Sequence, residues 1–150
     1  MIRLDNMAPQ NYSNHRQTVP IFHRVLLPVL ALTIVGSCVN LVLSLGDHER
    51  LYSAALITVL SICLAITAIL ARIFALKAQD RAIRAEENLR HFAMTGKLLD
   101  PRLSVRQIIA LRFAPDAEFA ALAKRATDES LSPGAIKQSI KNWRPDTYRV

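Results

Sequence analysis

This 150-residue sequence lacks the short motifs that mark most catalytic and cofactor-binding sites. It contains no glycine-rich phosphate-binding loop, no Cys-x-x-Cys pair and no His-Glu-x-x-His signature. Glycine occurs four times and cysteine twice, and the four histidines are scattered along the chain. We therefore predict no catalytic residue, no cofactor and no bound metal, and the sequence favours a protein that is not an enzyme.

Charge is absent from two runs, residues 25–45 and 51–71, which are separated by only five residues. Each run holds 21 residues, so a helix of that length spans roughly 31 Å, about the hydrocarbon thickness of a bilayer. The pattern predicts a transmembrane hairpin with its turn at residues 46–50. The first run starts later and is longer than the apolar core of a cleaved signal peptide, so we expect both helices to be retained.

The predicted hairpin also has an asymmetric distribution of Lys and Arg. Three arginines precede the first run and five Lys or Arg residues lie between positions 72 and 90, whereas the turn holds only Arg50 beside Asp47 and Glu49. Positively charged flanks are retained on the cytoplasmic side during insertion. We expect both termini to be cytoplasmic, which in a bacterium means a multi-pass inner-membrane protein with a periplasmic turn.

No ionisable side chain lies inside either run, which argues against a pump or coupled transporter built from this hairpin alone. Asn40 is the polar residue most costly to expose to lipid, so we expect it to face protein. It lies in the depth range of Ser37 and Thr58, and we expect hydrogen bonds and close packing between the helices around Gly36.

The two cysteines, Cys38 and Cys63, both lie inside the predicted spans. Their depths differ by roughly 7 Å at helical rise, which is too much for a disulfide. We therefore expect both to act as small packing residues.

Small and apolar residues recur at alternating spacings of three and four along the second helix. The series comprises Ala54, Ile57, Ser61, Leu64, Ala68, Ala71, Ala75, Ala78, Ala82, Ala85, Leu89 and Phe92. It predicts one continuous helix from about Ser53 to Met94, with Thr95-Gly96 as its stop. Within the bilayer the series can pack on the first helix. Beyond it, the partner is residues 1–24, the folded-back tail or a second protomer, unless the alanines reflect helix propensity alone.

We take six members of this series as candidate interaction residues: Ala75, Ala78, Ala82, Ala85, Leu89 and Phe92. The charged positions of the same segment predict solvated pairs at i,i+4, namely Asp80/Arg84 and Glu86/Arg90, with Glu87/His91 as a further candidate pair. Near the bilayer, Lys77, Arg81 and Arg84 are candidates for contact with anionic lipid headgroups.

The chain from residue 72 to its end is basic, with 15 Lys and Arg against 9 Asp and Glu. Three short helices are predicted by a capping box at Ser104-x-x-Gln107, by Pro115 at a first helical position and by Ser132-Pro133. The last of these is expected to run through Trp143 and to end at Pro145. The predicted core is Leu103, Ile108, Leu111, Phe113, Phe119, Leu122, Leu131, Ile136, Ile140 and Trp143.

Together these patterns predict an all-α protein: a transmembrane helical hairpin whose second helix extends into the cytoplasm, followed by a small three-helix C-terminal cap. The expected division is a cytoplasmic N-terminal segment 1–24, helices 25–45 and 51–71 joined by turn 46–50, an extension 72–95 and a basic cap 96–150.

Two further sets of residues leave alternatives open. His15 and His23 lie in a polar and aromatic lead into the first helix, which suits an interfacial anchor better than an incomplete metal site. The last two helices of the cap, with Lys137, Lys141 and Arg144, also permit a helix-turn-helix, but nearby acidic residues offset these charges and we expect no nucleic-acid partner. The candidate interfacial or polar contacts are His15, His23, Asn40, Arg81, Arg84 and Trp143.

Several strings resemble those of a family of small bacterial two-span membrane proteins known only as a domain of unknown function. They are Gln10-Asn11-Tyr12 with Asn14-His15, residues 75–91 (ALKAQDRAIRAEENLRH), residues 104–114 (SVRQIIALRFA) and residues 140–144 (IKNWR). The resemblance covers nearly the full length. It implies the two-span layout and no reaction, ligand or catalytic residue.

The sequence thus favours a non-enzymatic membrane scaffold or adaptor that acts through helix contacts at the cytoplasmic face, with a homo-oligomer or another protein as its partner and anionic lipid as a further contact. The main alternative is an accessory subunit of a membrane transporter or membrane enzyme, to which His15, His23 and Asn40 contribute. A membrane-anchored nucleic-acid-binding module is the weaker alternative.

Overall fold

The computed structural model describes residues 10–14 and 19–146, and within these ranges every regular element is a helix. The elements are α1 (Ile21–Leu43), α2 (His48–Thr95), α3 (Val105–Leu111), α4 (Asp116–Asp128) and α5 (Pro133–Ser139). The predicted all-α fold is confirmed: two long apolar helices form a hairpin, and shorter helices follow. The described residues form two compact units, residues 19–75 and residues 10–14 with 76–146, and α2 contributes to both.

Helix α1 changes its winding near its start. Its first six residues, Ile21–Leu26, are π-helical, and the segment Leu27–Leu43 is α-helical with Pro28 at its beginning. Proline has no N–H to donate to the carbonyl four residues earlier, and its ring clashes with that carbonyl. The wider π winding accommodates Pro28 without ending the helix, and the Leu27 N–H donates to the Phe22 carbonyl instead.

The turn between α1 and α2 is set by Asp47 and Gly46. The Asp47 carboxylate accepts hydrogen bonds from the N–H groups of Glu49 and Arg50 at 3.2 and 3.3 Å, so it caps the start of α2. Gly46 has a φ of +100°, which glycine adopts without strain. Helix α2 therefore begins at His48, within the charged residues that the sequence assigned to the turn.

The seam between α1 and α2 is lined by small polar side chains. The Thr58 hydroxyl donates to the Ser37 carbonyl across the seam at 3.1 Å and lies equally close to the Ala54 carbonyl of its own helix. Buried residues are Leu30 and Ser37 on α1, Ser44 directly after it, and Ala54, Thr58 and Ser61 on α2. The predicted contact between Ser37 and Thr58 is confirmed, but Ile57 and Leu64 of the predicted series are exposed.

Three expectations about this seam are wrong. Gly36 is exposed, with nothing within 4 Å of an added Cβ. Asn40 is also exposed and does not pack against α2, so its contact with protein outside this chain stays a prediction. Cys38 and Cys63 are free thiols on exposed positions and do not fill the interior. The physical reason is angular: each residue advances about 100° around a helix, so Gly36 and Cys38, next to Ser37, point away from the seam that Ser37 occupies.

Helix α2 continues without a break to Thr95, 48 residues in all, or roughly 72 Å at helical rise. Gly96 follows with a φ of +72°, and its N–H donates to the Phe92 carbonyl at 2.8 Å. This left-handed glycine ends the helix, as the sequence predicted.

The cap formed by α3, α4 and α5 has the core that the sequence predicted. Eight of the ten predicted core residues are buried in one cluster, and the other two, Leu131 and Trp143, pack against it. The capping box at Ser104 and Gln107 is present with both of its hydrogen bonds. Ser132 caps α5 by accepting from the Ala135 N–H at 3.1 Å. Pro115 stands one position earlier than expected, as the residue that precedes α4.

The expected extent of α5 is wrong, because the helix ends at Ser139 rather than near Pro145. Ile140 has an extended backbone, and the next two N–H groups, those of Lys141 and Asn142, donate to the Glu118 carboxylate at 3.0 and 3.1 Å. These hydrogen bonds replace the ones a continued helix would supply. Residues 140–146 thereby form a non-helical segment fixed to α4.

Candidate functional site

The candidate site is the part of α2 beyond residue 75, which carries the predicted interaction residues. One side of this segment is buried: Ile83 and Glu87 are buried, and Arg90 and His91 are half-buried. Arg90 and His91 contact the Phe119 ring of the cap. The spacing of these four α2 residues, by four, three and one, places them on one side of the helix. The helix is therefore held by the cap along a defined side.

Arg90 is the main polar link between α2 and the cap. Its guanidinium pairs with Glu87 at 3.0 Å and with Asp116 at 2.6 Å, and it donates to the Ala114 carbonyl at 2.8 Å. It also lies over the Phe119 ring, 4.2 Å from the centroid. The hydrogen bond from Arg90 lowers the pKa of the Asp116 carboxyl, so this pair is charged at neutral pH.

Neither of the ion pairs predicted for this segment, Glu86/Arg90 and Asp80/Arg84, forms among the residues the structure describes. Arg90 pairs with Glu87 and Asp116 rather than with Glu86, because the cap offers a buried site that an exposed i,i+4 pair does not. Glu86 remains exposed.

An open cleft of about 630 Å³ lies beside this network, lined by Glu86, Glu87, Arg90, Pro115, Asp116 and Arg144. Arg144 approaches Glu87 to 3.9 Å. The cleft holds three carboxylates against two guanidinium groups. Its chemistry is that of a structural ion network, since the buried charge of Glu87 is matched by both arginines.

Residues 140–146, the segment after α5, are anchored at three places. Glu118 accepts from Lys141 and Asn142, and these hydrogen bonds, the one from the Lys141 backbone first, lower the pKa of the Glu118 carboxyl. The Arg144 N–H donates to the Phe113 carbonyl at 2.7 Å.

The third anchor joins distant parts of the chain. The Arg112 guanidinium, 8% exposed, pairs with Asp146 at 2.8 Å, and the Asp146 N–H donates to the Gln10 side chain at 2.7 Å. The residues before α1 and those after α5 therefore meet on the cap.

A second cleft of about 380 Å³ lies where α2 ends, next to His91. The His91 Nδ1 is 2.7 Å from the Lys97 carbonyl and 3.2 Å from the Thr95 hydroxyl, and its ring meets the Phe119 ring edge to face. No group of three or more His, Cys, Asp or Glu suited to a metal occurs among the residues the structure describes. His91 thus serves to close the end of α2.

The opposite side of α2 is uncovered. Ala78, Ala82, Ala85, Leu89 and Phe92 are all exposed, with Leu89 at 67% and Phe92 at 51%. Helical rotation brings these five residues, here called the apolar face, onto one stripe that points away from Ile83 and Glu87. Ala75, at the end of the other unit, is exposed as well.

The other predicted residues fall in different settings. The His23 ring lies 3.0 Å from the Val19 carbonyl, and Arg81 and Arg84 are exposed. Trp143 stacks on Phe113 with ring centroids 4.9 Å apart, so it serves the cap core. His15 lies outside the described residues.

Sequence reasoning missed the side of α2 that the cap covers. Ile83, Glu87 and Arg90 have the same four-and-three spacing as the apolar face, but two of the three are charged and were assigned to solvent. The contacts of Gln10 with Asp146 and of Glu118 with the segment after α5 had no local signal, because their partners lie at least 23 residues away.

The chain belongs to the Family of unknown function (DUF6526), which it matches over residues 7–150. No curated protein and no solved structure matches the chain. The family match spans the hairpin, the extension and the cap alike and agrees with the resemblance found in the sequence.

Proposed function

We propose that this protein is a non-enzymatic membrane scaffold or adaptor that binds a protein partner through the apolar face of α2. The observation that carries the proposal is that Leu89 and Phe92 are exposed while the cap covers the other side of the same helix. Large apolar side chains that are exposed next to one another mark interaction surfaces. The ion network at Arg90 fixes the helix so that this face is presented in one orientation.

The proposed location is the cell inner membrane, with both termini cytoplasmic. Helices α1 and α2 are each long and apolar enough to cross a bilayer, and Lys and Arg are concentrated outside the turn that joins them. In this topology Lys77 lies within two turns of the apolar run and can contact anionic headgroups. The apolar face then projects into the cytoplasm.

A second candidate function, as an accessory subunit of a membrane transporter or membrane enzyme, is favoured by Asn40. Asn40 is exposed near the end of α1, three residues before Leu43, and polar groups facing lipid are costly unless a neighbouring helix bonds to them. A helix of another membrane protein packed over Asn40 would satisfy its side-chain amide.

Site-specific photocrosslinking in native membranes tests the proposed function. A photoreactive phenylalanine analogue replaces Phe92 in the full chain, and the matched control places the same analogue at Met94, which is exposed on the opposite side of α2. We expect a discrete crosslinked product from position 92 and none from position 94. Equal crosslinking at both positions, or none at position 92, would contradict the proposal.

A further inference from the structure

We propose that the partner on the apolar face is a second copy of this chain, and that two α2 helices pair there as a parallel, in-register coiled coil. This inference rests on the proposed function and names its partner. In the heptad register of this segment, Ala75, Ala82 and Leu89 fall at position a and Ala78, Ala85 and Phe92 at position d.

The large members of this register supply the apolar area. Leu89 is 67% exposed and Phe92 is 51% exposed, and each would meet its own counterpart at the centre of a symmetric pair. The alanines nearer the bilayer let the two backbones approach closely. A symmetric dimer is self-complementary by construction, so one exposed face suffices for both protomers.

The direction of the pair follows from the membrane. Every copy inserts with the same orientation, because the same distribution of Lys and Arg governs each one. Two α2 helices from neighbouring copies therefore run parallel. The charges beside the seam therefore face each other as they do in a parallel pair.

Those charges match a parallel pair. In the register above Arg81 is at position g and Glu86 is at position e of the next heptad, and a parallel in-register dimer brings g of one helix against that e of the other. Both side chains are exposed, and neither forms an ion pair with a described residue of its own chain. Two symmetric Arg81 to Glu86 bridges therefore flank the seam, whereas an antiparallel pair would bring g against g.

The cap leaves room for this pairing. Ile83 and Arg90 fall at position b and Glu87 at position f, the positions farthest from a coiled-coil seam. The side chains that hold the cap and those that would meet the second copy are therefore on opposite sides of α2.

The pairing segment is short, 18 residues from Ala75 to Phe92, and isolated helices of this length are marginal in water. Confinement in one bilayer raises the effective concentration of the second copy. We therefore expect the dimer in membranes, with the hairpin present.

Complementary charge reversal tests the pairing directly. The parent is the full-length chain with its native cysteines removed and one new cysteine, that is, with Cys38→Ala, Cys63→Ala and Ala85→Cys. Two versions of this parent are made, one with Arg81→Glu and one with Glu86→Arg, and each carries a tag of different size. Position 85 lies at d, where two copies approach closely enough for a disulfide. Mild oxidation of native membranes then reports the dimers as three bands of distinct mass.

We expect each single reversal expressed alone to pair about tenfold more weakly than the parent, because two attractive contacts become repulsive. Coexpressed, the two versions should form the mixed dimer preferentially, because every facing pair is then opposite in charge. Arg84→Glu at the outward position c is the matched control and should leave dimer formation unchanged.

The outcomes separate this inference from the proposed function. Failure of position 85 to form a disulfide dimer, or mixed pairing no stronger than self-pairing, overturns the coiled-coil dimer. If position 92 meanwhile crosslinks to a different protein, the scaffold function stands and its partner is another chain. If position 92 crosslinks to nothing, both proposals fail.

Discussion

The two units of this protein place their large apolar side chains in opposite environments. In the hairpin, large side chains such as Leu32 and Leu60 are 73% and 66% exposed, and the seam is lined by serine, threonine and alanine. In the cap, Phe113, Phe119, Leu111 and Ile136 are fully buried. In the membrane topology proposed above, lipid solvates leucine as well as a protein interior does, so the hairpin would need no apolar core, whereas a cap in water must build one.

This contrast identifies the unusual part of the molecule. Leu89 and Phe92 belong to the unit that has a buried apolar core, but they are as exposed as the large side chains of the hairpin. In the proposed membrane topology, lipid would cover exposed leucines only along the apolar spans. The apolar face of α2 lies outside those spans and, like Leu98 at 66%, leaves large apolar side chains exposed in the unit that has a buried core.

Removing a core ring of the cap should have the largest effect. Phe119 is 0% exposed and carries Arg90 above its ring, so Phe119→Ala should lower the free energy of unfolding of the cap by about 4 kcal/mol. Urea unfolding of the full chain in detergent micelles, followed by the fluorescence of Trp143, the only tryptophan, measures it. Leu60→Ala, an exposed hairpin position, is the comparison and should leave this transition in place; equal shifts would break the contrast between the units.

Removing the polar link should come next. Arg90→Met leaves the buried Glu87 carboxylate with only Arg144, 3.9 Å away, and should cost about 3 kcal/mol in the same urea transition. Adding Glu87→Gln removes the buried charge and should restore much of the stability. Arg84→Met, at an exposed position, is the control. Wild-type stability of Arg90→Met would show that the network does not hold α2 to the cap.

The sequence predicted those features whose cause is local. The spacing of apolar residues found the cap core, from Leu103 to Trp143, and Ser104, Ser132 and Gly96 marked helix ends, because a cap or a stop depends on residues within one turn. The length of the apolar runs found the hairpin for the same reason.

Features caused by distant residues were not predictable in this way. Helix α5 ends early because Glu118 accepts hydrogen bonds from the N–H groups of Lys141 and Asn142. Arg90 pairs with Asp116, 26 residues away, instead of with Glu86. In the hairpin the error was angular. The positions of Gly36 and Asn40 along the first run predicted their depth in the hairpin, but only the relative rotation of the two helices decides which side chains enter the seam.

The smallest predicted effect tests the hairpin side of the comparison. Thr58→Val removes the hydroxyl that reaches Ser37 across the seam at 3.1 Å and should weaken hairpin association by about 0.6 kcal/mol, the usual size of an interhelical hydrogen bond in lipid. Energy transfer between dyes attached to cysteines introduced at Ile21 and Ile73, in a chain without Cys38 and Cys63, follows dissociation of the two helices in a denaturing-detergent titration.

Thr67→Val is the matched control, because the described hydroxyl contact of Thr67 is the Cys63 carbonyl of its own helix at 2.8 Å. It should leave the titration midpoint unchanged, and neither substitution should alter the Trp143 fluorescence of the cap. Equal midpoints for the two variants would mean that the seam hydroxyl contributes nothing. The hairpin would then be held by packing and lipid alone, and its contrast with the hydrogen-bonded cap would become sharper.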